Sequence, residues 1–122
     1  MKRTLFLSVL FGMLLVTAHA ENESHQQVDS TLYAYYRWCN NNIRDTAVLS
    51  KADTLFRLSG EKHDIRMQAV ALSVKADHYY FNNALDSLKA WIPRVQDFAR
   101  KHNQLKYYDF TWSRLILYYT KQ

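Results

Sequence analysis

Glycine, proline and cysteine are nearly missing from this sequence: two, one and one in 122 residues. Tight turns are built on Gly and Pro, so a turn-rich all-β sandwich or barrel is excluded. Cys39 has no partner in the chain, which excludes an internal disulfide scaffold. Two glycines supply neither a phosphate-cradling loop nor a Gly-x-Ser-x-Gly elbow with its oxyanion donors. No His-Glu-x-x-His occurs, and no two histidines stand four apart. Carboxylates occur singly, so no acid–base pair can be read from spacing. What is abundant is aromatic: nine Tyr, six Phe and three Trp, a load that excludes intrinsic disorder.

One long hydrophobic run exists, and it stands at the start. Met1-Lys2-Arg3 is positive, Thr4 to Thr17 is dominated by Leu, Phe, Val and Met, and Ala18-His19-Ala20 places small residues at −3 and −1. This is the layout of a cleaved signal peptide over 1–20. Its apolar core is short of the roughly 20 residues that span a bilayer as a helix. The sequence therefore predicts export to the periplasm, or secretion where no membrane anchor follows, and no membrane span in the mature chain. Loss of Lys2 and Arg3 leaves 14 basic residues against 11 acidic, so the net charge falls from +5 to +3. The bases are interleaved with acids, as in Arg44-Asp45 and Glu61-Lys62-His63-Asp64-Ile65-Arg66. Such interleaving reads as a solvated helical surface and not as a phosphate-tracking stripe, so no nucleic-acid partner is expected.

Residues 21–27 are polar and unpatterned, a flexible leader to a helical domain over 28–122. Asp29 or Ser30 caps a first helix with Val28, Leu32, Tyr35, Tyr36 and Cys39 on one stripe, ended by Asn40-Asn41-Asn42. A second starts near Asp45-Thr46 and carries Val48, Ala52, Leu55 and Phe56, with Gly60 as the left-handed residue beyond its end. Asp64 caps a third, with Ile65, Ala69, Leu72, Ala76 and Tyr80 on one face. Its other face holds Met67, Val70, Ala71 and Val74, so this helix is expected at the centre. After Asn82-Asn83 a fourth runs through Leu85, Leu88, Ile92, Val95 and Ala99. The apolar period stays in phase across Pro93, which predicts one kinked helix. A fifth shows Leu105, Tyr108, Trp112, Leu115, Ile116 and Tyr119 in register. The class is all-α.

Self-comparison adds a repeat. Tyr35-Tyr36, Tyr79-Tyr80 and Tyr118-Tyr119 fall in helices one, three and five, 44 and 39 residues apart, and Phe56 and Phe98 are 42 apart. A period near 40 in alternating helices is what stacked helical hairpins produce. On these residues the chain resembles tetratricopeptide-like repeats from about Val28 to Gln122. Tyr80 matches the aromatic late in that family's first helix. Ala84, Leu88 and Pro93 echo the small residue, large apolar residue and proline of its second. The spacing exceeds the family's 34 residues, and the turn at Asn82-Asn83 is shorter and lacks the family's glycine. The resemblance implies antiparallel hairpins stacked as a short right-handed solenoid with a concave binding face.

With its export signal and Tyr-Tyr and Asn-Asn pairs, the chain also resembles the N-terminal periplasmic part of tetratricopeptide-type sensor histidine kinases and related membrane regulators. That resemblance implies a non-catalytic module for protein interaction or ligand sensing, without cofactor or metal. The candidate concave-face residues are Tyr33, Tyr36, Trp38, Tyr79, Tyr107, Tyr108 and Trp112, expected to grip a peptide, protein or glycan, since Tyr and Trp anchor such interfaces. The fifth helix lacks a hairpin partner. Trp112, Leu115, Ile116 and Tyr119 are accordingly expected to stay partly uncovered unless following repeats or a second copy pack on them. His63 and His102 lie in inter-helix turns, where they could face each other. Alternatives are a free-standing exported helical binding protein and a small enzyme using Cys39 or a histidine.

Overall fold

Three of the inter-helix turns are copies of one another at intervals of twenty residues. His63, Asn83 and Asn103 adopt φ of 56°, 55° and 57°. Each donates its N–H back three residues, to the carbonyls of Gly60, Tyr80 and Arg100. The residue after each donates back five, Asp64 to Ser59 (2.8 Å), Ala84 to Tyr79 (2.9 Å) and Gln104 to Ala99 (2.6 Å). This paired bonding around a left-handed residue satisfies the orphan carbonyls of a helix end. Asn tolerates the left-handed region because its short polar side chain bonds locally; His63 occupies it with a Cβ penalty. Gly60 does not play the expected role. It lies inside a helix, and no described glycine has positive φ.

The computed structural model describes residues 29–121. The signal segment 1–20, the leader 21–27 and Val28 lie outside the described residues. Five helices follow one another: α1 Ser30–Asn41, α2 Ala47–Glu61, α3 Ile65–Phe81, α4 Leu85–Lys101 and α5 Leu105–Lys121. No strand occurs among the described residues, and no described helix is long and apolar enough to cross a membrane. The caps follow the sequence closely. Asp29 Oδ1 accepts the N–H groups of Thr31 and Leu32, and Asp64 Oδ1 accepts that of Met67 (3.0 Å). The end of α1 departs from expectation, because Asn42 has φ of −124° and is not left-handed. Its side-chain amide instead donates to the Trp38 carbonyl (2.8 Å).

α3 is central: it contacts each of the other four helices. Met67 and Ala71 pack with Leu32 and Leu55, and Val74 with Cys39, Val48 and Ala52. On the opposite side Ala76 joins Leu88, Ile92 and Tyr118. Ile65, assigned to the apolar face of α3, is exposed because it stands in the first turn, ahead of the packed region. His78 is buried at the far end, where its Nδ1–H donates to the Ile43 carbonyl (2.7 Å) and ties α3 to the α1–α2 connection. α4 is a single helix through Pro93, which is exposed and so lacks its backbone bond on the solvent side.

Alternate helices also touch: α1 meets α3, and α3 meets α5. α2 and α4 meet through the rings of Phe56 and Phe98, 5.7 Å apart and edge-on. These are the two phenylalanines that share a position in the sequence repeat. As expected of a helix without a hairpin partner, Trp112, Ile116 and Tyr119 on α5 point to solvent, together with Leu105, while Tyr108 and Leu115 are half-buried. The inward side is Tyr107, Phe110, Thr111, Arg114 and Tyr118. Two hydrogen bonds fix that rotation. Gln96 Nε2 donates to the buried Thr111 Oγ1 (3.0 Å), and the Tyr118 hydroxyl donates to the Asn83 carbonyl (3.4 Å).

Candidate functional site

Because α1 and α5 each pack against α3 without meeting each other, their facing side chains enclose a groove of about 300 Å³ over α3. α3 supplies its floor through Val70, Ser73, Val74 and Asp77, which the 3.6-residue period stacks along one side of the helix. α1 contributes Tyr36, and α5 contributes Lys106, Tyr107 and Phe110. Val74 is buried, and Ser73 is buried with its hydroxyl donating to the Ala69 carbonyl (2.9 Å). The three rings stand half-buried over this floor. Lys106 is exposed at the rim, its Nζ 4.9 Å from the Tyr107 ring centre.

Asp77 is the polar end of the groove. Its Oδ1 lies 2.7 Å from Arg114 Nε, and both side chains are about one-fifth exposed. The two atoms form a partly buried ion pair that ties α3 to α5. Burial pushes the Asp77 carboxyl above the usual aspartate range, and the Arg114 charge pulls only part of the way back. Arg114 is held from behind by rings, with its guanidinium carbon 4.9 Å from the centre of Tyr80 and 4.7 Å from that of Phe110.

A second cavity, about 320 Å³, lies on the other side of α3 between α2 and α4. Its polar groups are already engaged. Trp91 Nε1–H donates to the Leu72 carbonyl (2.8 Å), and Lys75 donates to Asp53 (2.9 Å) while its Nζ lies 4.2 Å from the Trp91 ring centre. A ligand there would have to replace bonds the protein makes to itself, which disfavours it relative to the inner groove.

Of the seven candidate residues, the structure brings Tyr36 and Tyr107 together in the inner groove. Tyr33 is 48% exposed and leans on Tyr36 at 6.2 Å. Trp38 packs toward α2 against the cluster of Cys39 and Val48, under Lys51. Tyr79 faces α4 beside Ser87 and Trp91. Tyr108 is half-buried outside the groove lining, and Trp112 is exposed on the opposite side of α5. The groove residues not singled out as a site are Ser73, Asp77, Lys106 and Phe110, with Val70 and Val74. A signal existed for the floor, since Val70 and Val74 were already legible as a second apolar face of α3.

The rival chemistries gain nothing from the geometry. Cys39 is fully buried, and burial pushes its thiol up, with Lys51 only partly opposing. His102 lies against the Phe98 ring at 4.4 Å, and His63 is committed to its left-handed turn. Among the described residues no group of three or more His, Cys, Asp or Glu is placed to hold a metal ion. No family model, no curated protein and no solved structure matches the chain.

Proposed function

We propose that this chain is an exported, non-catalytic helical-repeat module that binds a short extended peptide segment in the groove of α1, α3 and α5. One observation carries the reading. Three half-buried aromatic rings stand over an apolar floor that ends at the Asp77 carboxylate, itself paired with Arg114. Aromatic walls with a few convergent polar groups are the usual make-up of a recognition cleft, and a carboxylate's further lone pairs can accept a peptide's amides. The identical turns at His63, Asn83 and Asn103, and the contacts between alternate helices, support the tetratricopeptide-like, right-handed solenoid of which this groove is the concave side. In the sensor-kinase-like setting that the sequence resembles, peptide binding would select one spacing of α1, α3 and α5 and pass it on as a population shift.

The test is a backbone amide shift map of the labelled protein mixed with a pool of apolar tripeptides, with free and amidated termini. Shifts are expected at Tyr36, Val70, Ser73, Val74, Tyr107 and Phe110, and Tyr107→Ala is expected to abolish them while keeping the helical signal. Hits confined to the Trp91 cavity, or none at peptide concentrations of a few millimolar (a very weak affinity, about −4 kcal/mol), would remove the reading.

A further inference from the structure

α5 carries a second surface, on the side away from the groove. Leu105 is 60% exposed, Trp112 49%, Ile116 61% and Tyr119 53%. At 100° per residue these four positions fall within an arc of about 60°, in a strip roughly 21 Å long that runs the length of the helix. Elsewhere among the described residues, large apolar side chains are exposed singly, as at Tyr33 and Ile65. The four side chains present roughly 450 Å² together, half or more of the area that each would bury in a core. A contiguous apolar patch of this size falls within the range of the largest patch on a typical monomer, a patch that is often functional.

We propose that this strip joins two copies of the chain, with α5 packed antiparallel on α5 of the second copy about a two-fold axis at Trp112. Two features favour a second copy as the occupant. The first is self-complementarity, which a two-fold contact demands. Residues 105 and 119 are equidistant from 112, so Leu105 meets Tyr119 across the axis at both ends and Trp112 stacks on its own mate. The second is area. Counted on both copies, the strip gives roughly 900 Å², and the flanking Asp109, Ser113 and Thr120 carry the total past the ~1,000 Å² that a specific interface needs. The strip's own side chains are uncharged, Asp109, Ser113 and Thr120 form a polar rim along one edge, and Lys89 of α4 caps the Tyr119 end with its Nζ 5.3 Å from the ring centre. The groove faces the other way, so both copies keep it open.

The experiment is light scattering on the purified protein from about 1 μM to a few hundred μM, a range that spans micromolar association. The mass is expected to rise toward twofold, and Ile116→Asp to weaken association at least about tenfold with unchanged helical circular dichroism. Two cysteine variants settle the geometry independently of that substitution. Trp112→Cys is expected to form a covalent dimer, two thiols passing two electrons and two protons to added oxidised glutathione. Leu117→Cys, about 140° around the helix from position 112, is not. A protein that stays monomeric throughout, or one in which Leu117→Cys links as well as Trp112→Cys, overturns the proposal. A monomer whose strip is shielded by another part of its own chain overturns it equally. None of these results bears on peptide binding, which is read at Tyr107 on the opposite side of α5.

Discussion

Asp77 on α3 and Arg114 on α5 meet at 2.7 Å with only about one-fifth of each side chain exposed. A half-buried pair of this kind contributes little net stability, because desolvation offsets the attraction, but breaking it strands a charge. Arg114→Met is therefore expected to destabilise the fold by about 1–3 kcal/mol, a buried-pair effect reduced for its residual exposure. The double variant Asp77→Asn/Arg114→Met is expected to recover most of that loss. Urea unfolding of the two single variants and the double variant would decide it. A double variant no better than Arg114→Met would mean that the guanidinium acts through its contacts with Tyr80 and Phe110 and not through Asp77.

The same pair sets a pH dependence. Burial raises the Asp77 carboxyl in the folded chain above its ordinary value of 3.8, with Arg114 opposing. The folded state thus holds this proton more tightly than the unfolded state, so the contribution of Asp77 is greatest below the unfolded value and declines as pH rises through the folded one. The stability of the wild type relative to Asp77→Asn is expected to fall from pH 3 upward and level off once the folded carboxyl has ionised. A wild type that gains on Asp77→Asn as pH rises over this range would show that Arg114 outweighs burial.

The left-handed turns give a graded prediction. Glycine adopts φ near 56° at no steric cost, whereas an L-residue with a Cβ is penalised, Asn less than His. His63→Gly is expected to stabilise by about 0.5–1 kcal/mol and Asn83→Gly by less, the gain being reduced by the greater freedom of glycine in the unfolded chain. Asn83→Val, β-branched, is expected to destabilise by more than 1 kcal/mol. Thermal melts of the three variants measure this ranking. Equal effects at His63 and Asn83 would indicate that the asparagine side chain is not easing its turn.

The helices themselves were legible because their caps and breakers are local. Asp29 and Asp64 accept the N–H groups that their positions predicted, and Asn83 and Asn103 stand in the turns that their side chains favour. The exposure of Trp112, Ile116 and Tyr119 on α5 was legible, but the face that turns inward was not. Apolar residues ring most of that helix, and two stripes compete at the same period: Leu105, Trp112, Ile116 and Tyr119 against Tyr107, Phe110 and Tyr118. The inward stripe is selected by polar contacts, Thr111 with Gln96 and Arg114 with Asp77, which join residues 15 and 37 positions apart and leave no periodic trace. For the same reason only two of the seven aromatic candidates meet in the groove, and its charged end escaped notice.

Cys39 offers a direct check on the thiol-enzyme alternative. It is fully buried, and burial raises its thiol pKa. In the native protein it is expected to resist a disulfide reagent such as dithionitrobenzoate at pH 8, and to react fully in urea, because the thiolate is the attacking species and requires access. Stoichiometric labelling of the native protein within seconds would reopen catalysis at this site.

Gly60 separates the structure from the sequence expectation most sharply. A glycine needed in the left-handed region would make Gly60→Ala destabilising by 1 kcal/mol or more. In the structure Gly60 is helical, and a Cβ there would come within 2.7 Å of Gln68 Nε2. That atom ends a flexible side chain whose one hydrogen bond, to the Phe56 carbonyl, is long at 3.4 Å. Swinging Gln68 aside therefore loses little, while alanine gains roughly 0.5–1 kcal/mol over glycine in a helix. Gly60→Ala is expected to be neutral to about 0.5 kcal/mol stabilising, and Gly60→Ala/Gln68→Ala to stabilise somewhat more, since the second change removes the crowding. Guanidinium unfolding of both variants resolves differences of this size. A loss above 1 kcal/mol that Gln68→Ala fails to relieve would mean that α2 ends before Gly60, and that the twenty-residue spacing of the turns does not begin at His63.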